Sequence, residues 1–410
     1  MRDAALEQHE LLDFQEDRYS VLKLIDGFDL ERVRSAKVLV IGAGAIGNEV
    51  LKNLALLGFG HIFIYDRDTI EMSNLTRSIL FRAGDRDQPK AETAARALKS
   101  INPDLHVGWW NGDIRFDLGL GLVQRMDVVI GCLDNREARL TINSKCFQAG
   151  RPWVDAGIGQ LNGQVRAFLP PDGTCYECSY SDEDYMQVAV PCNQLASVYA
   201  SEGKIPTTPT IASIVAGVQV QEALKLLSYE DWRGRTLVGH ELIYNGTVED
   251  VSITALPRRD DCPAHRMFET ERIVLLPGVS ADTTTFGQLL QLVEERLGAG
   301  TTLMLNFDLA LGVSCHECGR RKSLLQPLQK LFREDLFCAE CGQEGLLDPS
   351  SDLTARVNKS LAHYETLRDL KLAAVNVPPL DILTGIGPDG TKAYFELTGD
   401  EMRLLGVPNK

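Results

Sequence analysis

Val38–Gly47, VLVIGAGAIG, reads as a strand, a tight glycine turn and the start of a helix. Gly42, Gly44 and Gly47 set a Gly-x-Gly-x-x-Gly spacing. Glycines there let backbone N–H groups approach a phosphate, and the helix N-terminus favours its negative charge. The stretch names a nucleotide site without naming a reaction.

Working outward, strand and helix patterns alternate over the first 170 residues. Lys37–Ile41 reads as a buried strand, Ala45–Leu57 as a helix and His61–Asp66 as a second strand. Pro89 suits the first turn of a helix over Lys90–Ile101. Asp127–Cys132 is the next strand, followed by a helix over Arg136–Ala149, a strand over Trp153–Ala156 and an added strand over Gly163–Leu169. The order predicts an α/β fold, a doubly wound, mostly parallel, Rossmann-like sheet with helices on both faces. Cys178–Thr208 lacks a regular pattern and contains Pro191 and Pro206, which predicts a long crossover loop, 179–209. Ile211–Leu227 is a strongly apolar helix, and strands over Thr236–Tyr244 and Val248–Leu256 follow. A boundary near Arg266–Arg272 divides a first domain, 1–268, from a smaller C-terminal α+β domain, 269–410. The second begins strand-helix-strand (Arg272–Leu276, Thr285–Leu297, Thr302–Phe307), suiting a ubiquitin-like or α+β unit, and ends in a hairpin around Pro388-Asp389-Gly390.

The chain has 410 residues, 44% hydrophobic and 24% charged, as in ordinary globular protein. Its net charge of −15 argues against broad nucleic-acid binding and suits a basic protein partner. No apolar run approaches the roughly 20 residues needed to span a bilayer, and Met1–Asp17 lacks a signal-peptide pattern. The expectation is a cytoplasmic protein with no membrane and no nucleic acid among its partners. Of ten cysteines, Cys132 and Cys146 fall in apolar strand and helix patterns and read as core residues.

Asp66 and Asp68, at the end of the second strand, are placed to hold a ribose hydroxyl. To this point a nicotinamide dehydrogenase fits equally well. A dehydrogenase has no need of a following cationic cluster, whereas adenylation does, because charge accumulates on the phosphates as pyrophosphate leaves. Arg77 and Lys90 suit that work, and Asp134, just past a strand end, suits Mg²⁺. Singly, each has a plainer role as loop residue, first-turn lysine or helix cap.

Over roughly Gln15–His265 the chain resembles the ThiF/MoeB and ubiquitin-activating enzyme superfamily. The resemblance rests on Arg18-Tyr19, GAGAIG, the D-x-D-x-x-x-x-S-N-L-x-R segment ending at Arg77, QPK at Lys90, LDN at Asp134-Asn135, CYEC at Cys175–Cys178, and the apolar helix after the crossover. It implies that Mg-ATP and the C-terminal glycine carboxylate of a ubiquitin-like protein react to an acyl-adenylate and pyrophosphate. By the same resemblance Gly42, Gly44, Gly47, Asp66, Asp68, Asn74, Arg77, Lys90, Asp134 and Asn135 bind the nucleotide and its metal. Family members usually carry a second arginine three residues after the first, which reaches into the partner subunit. Here that position is Val21, with Arg18 or Lys23 as candidate replacements, and a homodimer remains the expectation.

Cys315-x-x-Cys318 and Cys338-x-x-Cys341, nineteen residues apart and each pair followed by Gly, read as a Cys₄ zinc ribbon, 312–345. Cys175 and Cys178 form a half site, whose partner in the related enzymes is a pair near the end of the adenylation domain. Cys262 and His265 stand there, which gives a Cys₃His zinc site. The ribbon is expected to recognise a partner or support a small domain. Cys192 stands in the crossover, fourteen positions beyond Cys178, where ubiquitin-activating enzymes carry a thioester-forming cysteine and sulfur-carrier enzymes also have one nearby; its plainer role is a partly buried structural cysteine.

The leading expectation is an activating enzyme that adenylates a ubiquitin-like protein with ATP and Mg²⁺, captures it on Cys192 and passes it to a conjugating enzyme. One alternative is a sulfur-carrier adenylyltransferase that releases the adenylate. Another is a non-catalytic scaffold half of a heterodimeric enzyme, which retained Arg77, Lys90 and Asp134 argue against.

Overall fold

The computed structural model describes residues 17–181, 184, 206–232, 234–269 and 272–401. Eight strands form the first sheet: β1 (Lys37–Ile41), β2 (His61–Asp66), β3 (His106–Asn111), β4 (Val128–Gly131), β5 (Trp153–Gly159), β6 (Asn162–Phe168), β7 (His240–Asn245) and β8 (Asp250–Ala255). Their order is β3-β2-β1-β4-β5-β6-β7-β8. β1 to β5 run parallel, in registers such as Ile41↔Tyr65 and Ile41↔Gly131, and β6 to β8 add on antiparallel. The direction of winding reverses between β1 and β4. Open α/β sheets place their ligands at the carboxyl ends of strands at such a point.

The helices follow from local sequence. α1 (Leu30–Ser35) is capped by Asp29. α2 (Ala45–Leu57) starts at the glycine turn and ends at Gly58, whose φ of +85° favours glycine. α3 (Lys90–Ile101) follows Pro89, and the short α4 (Ile114–Asp117) and α5 (Leu120–Gln124) follow β3. α6 (Arg136–Ala149) is capped by the Asn135 side chain and closed by Gly150, and α7 (Pro209–Leu227) is capped by Thr208 with proline at its start. One core joins α2, α3 and α7 to one face of the sheet, through residues such as Val40, Leu51, Ala94 and Val215. The other face carries α4, α5 and α6 over Leu39, Ile41, Val129 and Trp153. α7 is apolar and long enough to cross a bilayer by composition, but 56% of its most apolar window is buried inside the protein.

The C-terminal segment opens strand-helix-strand, as its pattern implies, and grows into a six-stranded mixed sheet. β9 (Ile273–Leu276), β10 (Thr302–Ser314), β11 (Arg321–Pro327), β12 (Leu353–Val357), β13 (Ile382–Ile386) and β14 (Lys392–Leu397) form it in the order β11-β10-β13-β14-β9, with β12 beside β10. β9 and β14 are parallel and the other pairs antiparallel. α8 (Phe286–Leu297) buries Phe286, Leu289, Leu290 and Val293 against the sheet. This sheet is seated on α4 and α5. Leu380 and Ile382 share the core of the first sheet, and Gly121 N–H donates to the Leu380 carbonyl at 2.8 Å. Arg125 pairs with Glu396 and Glu401, and Lys330 with Asp117.

Two local expectations are corrected. The strand read over Thr236–Tyr244 starts only at His240, because Leu237 N–H is taken by the Glu222 carboxylate of α7 and Gly239 turns at φ +77°. β3 escapes a pattern reading because HVGWWN forms a half-exposed edge strand without clean apolar alternation.

Candidate nucleotide site and cysteine clusters

The glycine turn is locked by contact with its neighbours. A Cβ on Gly42 would lie 2.4 Å from the Cys132 carbonyl oxygen, and one on Gly47 only 1.9 Å from the Gly42 carbonyl oxygen. Gly44 has nothing within 4 Å of that direction and faces open space. The turn therefore stands at the mouth between β1 and β4 with backbone on one side and room on the other.

Asp66 braces this turn. One carboxylate oxygen accepts from Ala43 N–H at 2.6 Å and the other from Asp68 N–H at 2.7 Å. Burial pushes the Asp66 carboxyl above the usual carboxylate range, against the pull of Lys90 and those two N–H groups. Asp68 is half-exposed and accepts from Lys90 Nζ at 2.8 Å, while the lysine itself is buried. Asn74 accepts from Glu71 N–H through its side chain, and Arg77 donates to the Ser73 carbonyl at 3.0 Å. Asp134 lies just past β4, exposed, with Asn135 Nδ2 donating to its Oδ1 at 3.1 Å. The carboxyl ends of β1, β2 and β4 thus carry the glycine turn, Asp66, Asp68 and Asp134, and the start of α3 delivers Lys90.

One positioning residue escaped the sequence reading. Asn48 is fully buried one turn into α2. Its amide donates to the Ala43 and Gly44 carbonyls at 2.6 and 3.0 Å, and its carbonyl accepts from Leu80 N–H at 2.9 Å. It ties the glycine turn to the segment that carries Arg77. The available signal was a polar residue on the apolar face of a helix. Arg67, on the loop beside Asp68, and Arg115 of α4, also unread, flank Asp113 at 2.8 and 2.5 Å, and Arg115 reaches Glu137 of α6 as well.

The candidate replacements for the arginine missing at Val21 are both engaged within the chain. Arg18 donates to the Ile101 carbonyl at 2.7 Å and Lys23 pairs with Asp17 at 2.5 Å. Cys192 lies outside the described residues. The ends of its segment are anchored: Arg136 stands 3.6 Å from Asp184, and Gln160 N–H donates to the Pro206 carbonyl at 2.8 Å.

Both cysteine sets converge. Cys175, Cys178, Cys262 and His265 lie together, with Cys175 Sγ 3.6 Å from Cys262 Sγ and 3.7 Å from Cys178 Sγ, and His265 Nε2 3.3 Å from Cys178 Sγ. The edge of a tetrahedron with ~2.3 Å zinc–sulfur bonds is about 3.8 Å, so the spacing fits zinc. Phe147 stacks on His265 at 4.9 Å and sets the ring plane. Cys315, Cys318, Cys338 and Cys341 form the second set, with Sγ–Sγ separations of 3.5, 3.6 and 3.8 Å. Backbone N–H groups of Cys341 and Glu340 draw the Cys338 thiol down to about 6, toward the thiolate a metal needs. Cys146 is fully buried and Cys132 partly so, as their apolar patterns imply.

A SAMP-activating enzyme E1 of Haloferax volcanii is 32% identical over 254 residues, 61% of this chain and 88% of its own length. A sulfur carrier protein adenylyltransferase of Thermus thermophilus is 30% identical over 60% of this chain and 89% of its length. The SUMO-activating enzyme subunit uba-2 of Caenorhabditis elegans is 40% identical over 149 residues, but the chain spans only 26% of that relative's length. Among solved structures, E. coli MccB with AMPCPP and MccA superposes with a TM-score of 0.52 at 23% identity, over 61% of this chain and 74% of that one, which shows a shared fold. The ThiF family model matches residues 17–264. Because that model spans more than half of the chain, the chain belongs to the ThiF family.

Proposed function

We propose that this chain activates a ubiquitin-like protein. ATP and the C-terminal glycine carboxylate of that protein are the substrates. A carboxylate oxygen attacks the α-phosphorus, the bond to the β-phosphate breaks, and pyrophosphate leaves. What supports the reading is that the Lys90–Asp68 pair and Asp134 follow the carboxyl ends of neighbouring strands, on either side of an open glycine turn at the β1–β4 switch point. In this reading the turn holds the phosphates, Asp66 and Asp68 the ribose or metal, and Arg77, Lys90 and Asn74 the phosphates. Asp134 holds Mg²⁺ with support from Asn135. Its exposed carboxylate just past a strand end has the hard oxygen chemistry that Mg²⁺ takes. When bound, that ion neutralises phosphate charge.

The second step is capture on Cys192. The thiolate attacks the acyl carbon of the adenylate, AMP leaves with the electron pair of its acyl–oxygen bond, and a thioester forms. A conjugating enzyme then accepts the modifier by thiol exchange. Support comes from the anchoring of both segment ends beside the site, one at α6 through Arg136 and one at the β5–β6 turn through Gln160. A second reading, in which the adenylate is released directly, follows the sulfur carrier protein adenylyltransferase, matched over 89% of its length as the SAMP-activating enzyme is over 88%.

The two cysteine sets are proposed as structural zinc sites, each with four protein ligands, and residues 269–410 as a partner-binding domain appended to an adenylation domain over 1–268. A homodimer is proposed on the apolar face shared by α7 and the β7–β8 hairpin, where Ile214, Val251 and Ile253 are 41%, 55% and 60% exposed. A reducing cytoplasmic setting suits ten cysteines of which seven are assigned to zinc.

Incubation with Mg-ATP and a modifier, followed by a non-reducing gel, tests the order of steps. A thiol-sensitive adduct that vanishes in Cys192→Ala supports capture. Transfer that persists in Cys192→Ala supports direct release.

A further inference from the structure

The residues that leave β4 and enter α6, 131–135, are tied down almost peptide by peptide. Cys132 N–H donates to the Ile41 carbonyl at 2.8 Å, and the Cys132 carbonyl packs against Gly42. Gln219, fully buried on α7, donates to the Gly131 carbonyl at 2.7 Å and the Val154 carbonyl at 3.2 Å. From the opposite face, Arg139 of α6 donates one Nη2 to the Leu133 carbonyl at 2.6 Å and the Ala156 carbonyl at 2.9 Å. Its Nε donates to Asp155 Oδ1 at 2.9 Å. Two side chains, one from each layer, thus pin the same pair of strand ends, β4 and β5.

The Arg139–Asp155 pair is nearly enclosed, with side chains 12% and 1% exposed. A buried ion pair is a poor source of stability, because desolvation offsets the attraction. Burial pushes the Asp155 carboxyl up, and Arg139 beside it works the other way. Asp155 Oδ2 has no hydrogen-bond partner among the described residues. What the pair supplies is directional. Beyond the last β4–β5 pair, Gly131↔Asp155, the two protons of one guanidinium nitrogen reach the Leu133 and Ala156 carbonyls while the neighbouring Nε holds Asp155. Asp134 is the next residue after Leu133, and its backbone orientation is set by that peptide.

We propose that Arg139 is a positioning residue for Asp134, with Asp155 orienting the guanidinium and Gln219 securing the strand end behind it. The proposal rests on the reading of Asp134 as the holder of Mg²⁺. A lysine at position 139 keeps the charge but cannot serve both carbonyls and Asp155 together. Loss of a group that orients a metal ligand commonly costs about 10- to 100-fold in metal affinity.

The test is calorimetric titration of the full chain with Mg-ATP and, separately, with ATP in excess EDTA. The readout is the ratio of the two affinities. Arg139→Lys is expected to lower that ratio by about 10- to 100-fold, with the metal-free affinity and thermal midpoint much less changed. Asp134→Asn is expected to lower it at least as far, and adding Arg139→Lys to Asp134→Asn to lower it no further. If Arg139→Lys does not fold, Asp155→Asn, which preserves shape, is expected to lower the ratio in the same direction. An unchanged ratio in Arg139→Lys or Asp155→Asn, with Asp134→Asn impaired, overturns the proposal. So does an equal loss of both affinities, the mark of a purely structural role. An unchanged ratio in Asp134→Asn overturns instead the assignment of Asp134 itself.

Discussion

Lys90 and Asp68 are joined twice: the lysine Nζ donates to the Asp68 carboxylate at 2.8 Å, and the lysine N–H donates to the Asp68 carbonyl at 2.9 Å. The backbone bond fixes the start of α3 against the loop after β2, and the side-chain bond holds a buried cation against a half-exposed acid. A triphosphate arriving at the glycine turn would compete for that cation. Lys90→Met should therefore reduce pyrophosphate exchange by on the order of 100- to 1,000-fold, the usual loss for one fixed charge-stabilising group. Asp68→Asn should act mainly on the KM for ATP, by the loss of one charged hydrogen bond worth about 1.5–3 kcal/mol. Steady-state exchange kinetics on both variants separate the two roles.

The glycines of the turn should differ sharply from one another. Gly47→Ala drives a methyl group to within 1.9 Å of the Gly42 carbonyl oxygen, so the turn must shift. Overpacking of this kind costs about 1–3 kcal/mol, to be read as a lowered thermal midpoint without ligand. Gly44→Ala meets nothing within 4 Å and should leave the midpoint unchanged while weakening ATP binding. Equal midpoints for the two variants would contradict the packing described.

Most of the site was legible because its signals are local. The glycine turn, Asp66 and Asp68 after one strand, Lys90 after a proline and Asp134 after another strand each sit at an element end that the hydrophobic pattern marks. The cysteine pairs announced themselves by spacing. Asn48, Arg139 and Gln219 did not, because their partners come from tertiary contact. Gln219 reaches a carbonyl 88 positions away, and a buried glutamine on an apolar helix carries no record of that partner. The seat of the second sheet was hidden for the same reason. Arg125 meets Glu396 across 271 positions, and no periodicity relates residues so far apart.

The cysteine sets predict two zinc ions per chain by elemental analysis. They should leave in a defined order. Cys318 and Cys341 are exposed, whereas Cys175, Cys178 and Cys262 are all buried. A mild chelator should first remove one zinc and loosen the region of β10 and β11, as followed by hydrogen exchange, because so small a ribbon has little core without metal. Loss of the Cys175 set first, or a single zinc in protein purified without chelator, would count against the assignment.

Acid sensitivity should centre on Asp113. Burial alone would raise its carboxyl, but the Arg115 guanidinium at 2.5 Å holds it below the usual carboxylate range. A carboxylate depressed in the folded state stabilises the fold above its unfolded value, near 3.8, and loses that contribution as pH falls through the folded value. Asp113→Asn should thus cost about 1–2 kcal/mol at pH 7, and the difference from the parent should shrink as pH drops below 4. Denaturant unfolding at pH 7 and pH 3 measures both. A difference that stays constant across that range would show that the ion pair is not the source.

The central claim is that the site adenylates the C-terminal carboxylate of a ubiquitin-like protein. Exchange of labelled pyrophosphate into ATP tests it most directly, because the label enters ATP only when the adenylate forms reversibly. The account predicts exchange that requires Mg²⁺ and a ubiquitin-like protein ending in a free glycine, that disappears when the glycine is capped, and that falls on the order of 100- to 1,000-fold in Asp134→Ala. Exchange independent of any such protein, or binding of NAD in place of ATP at the glycine turn, would contradict it.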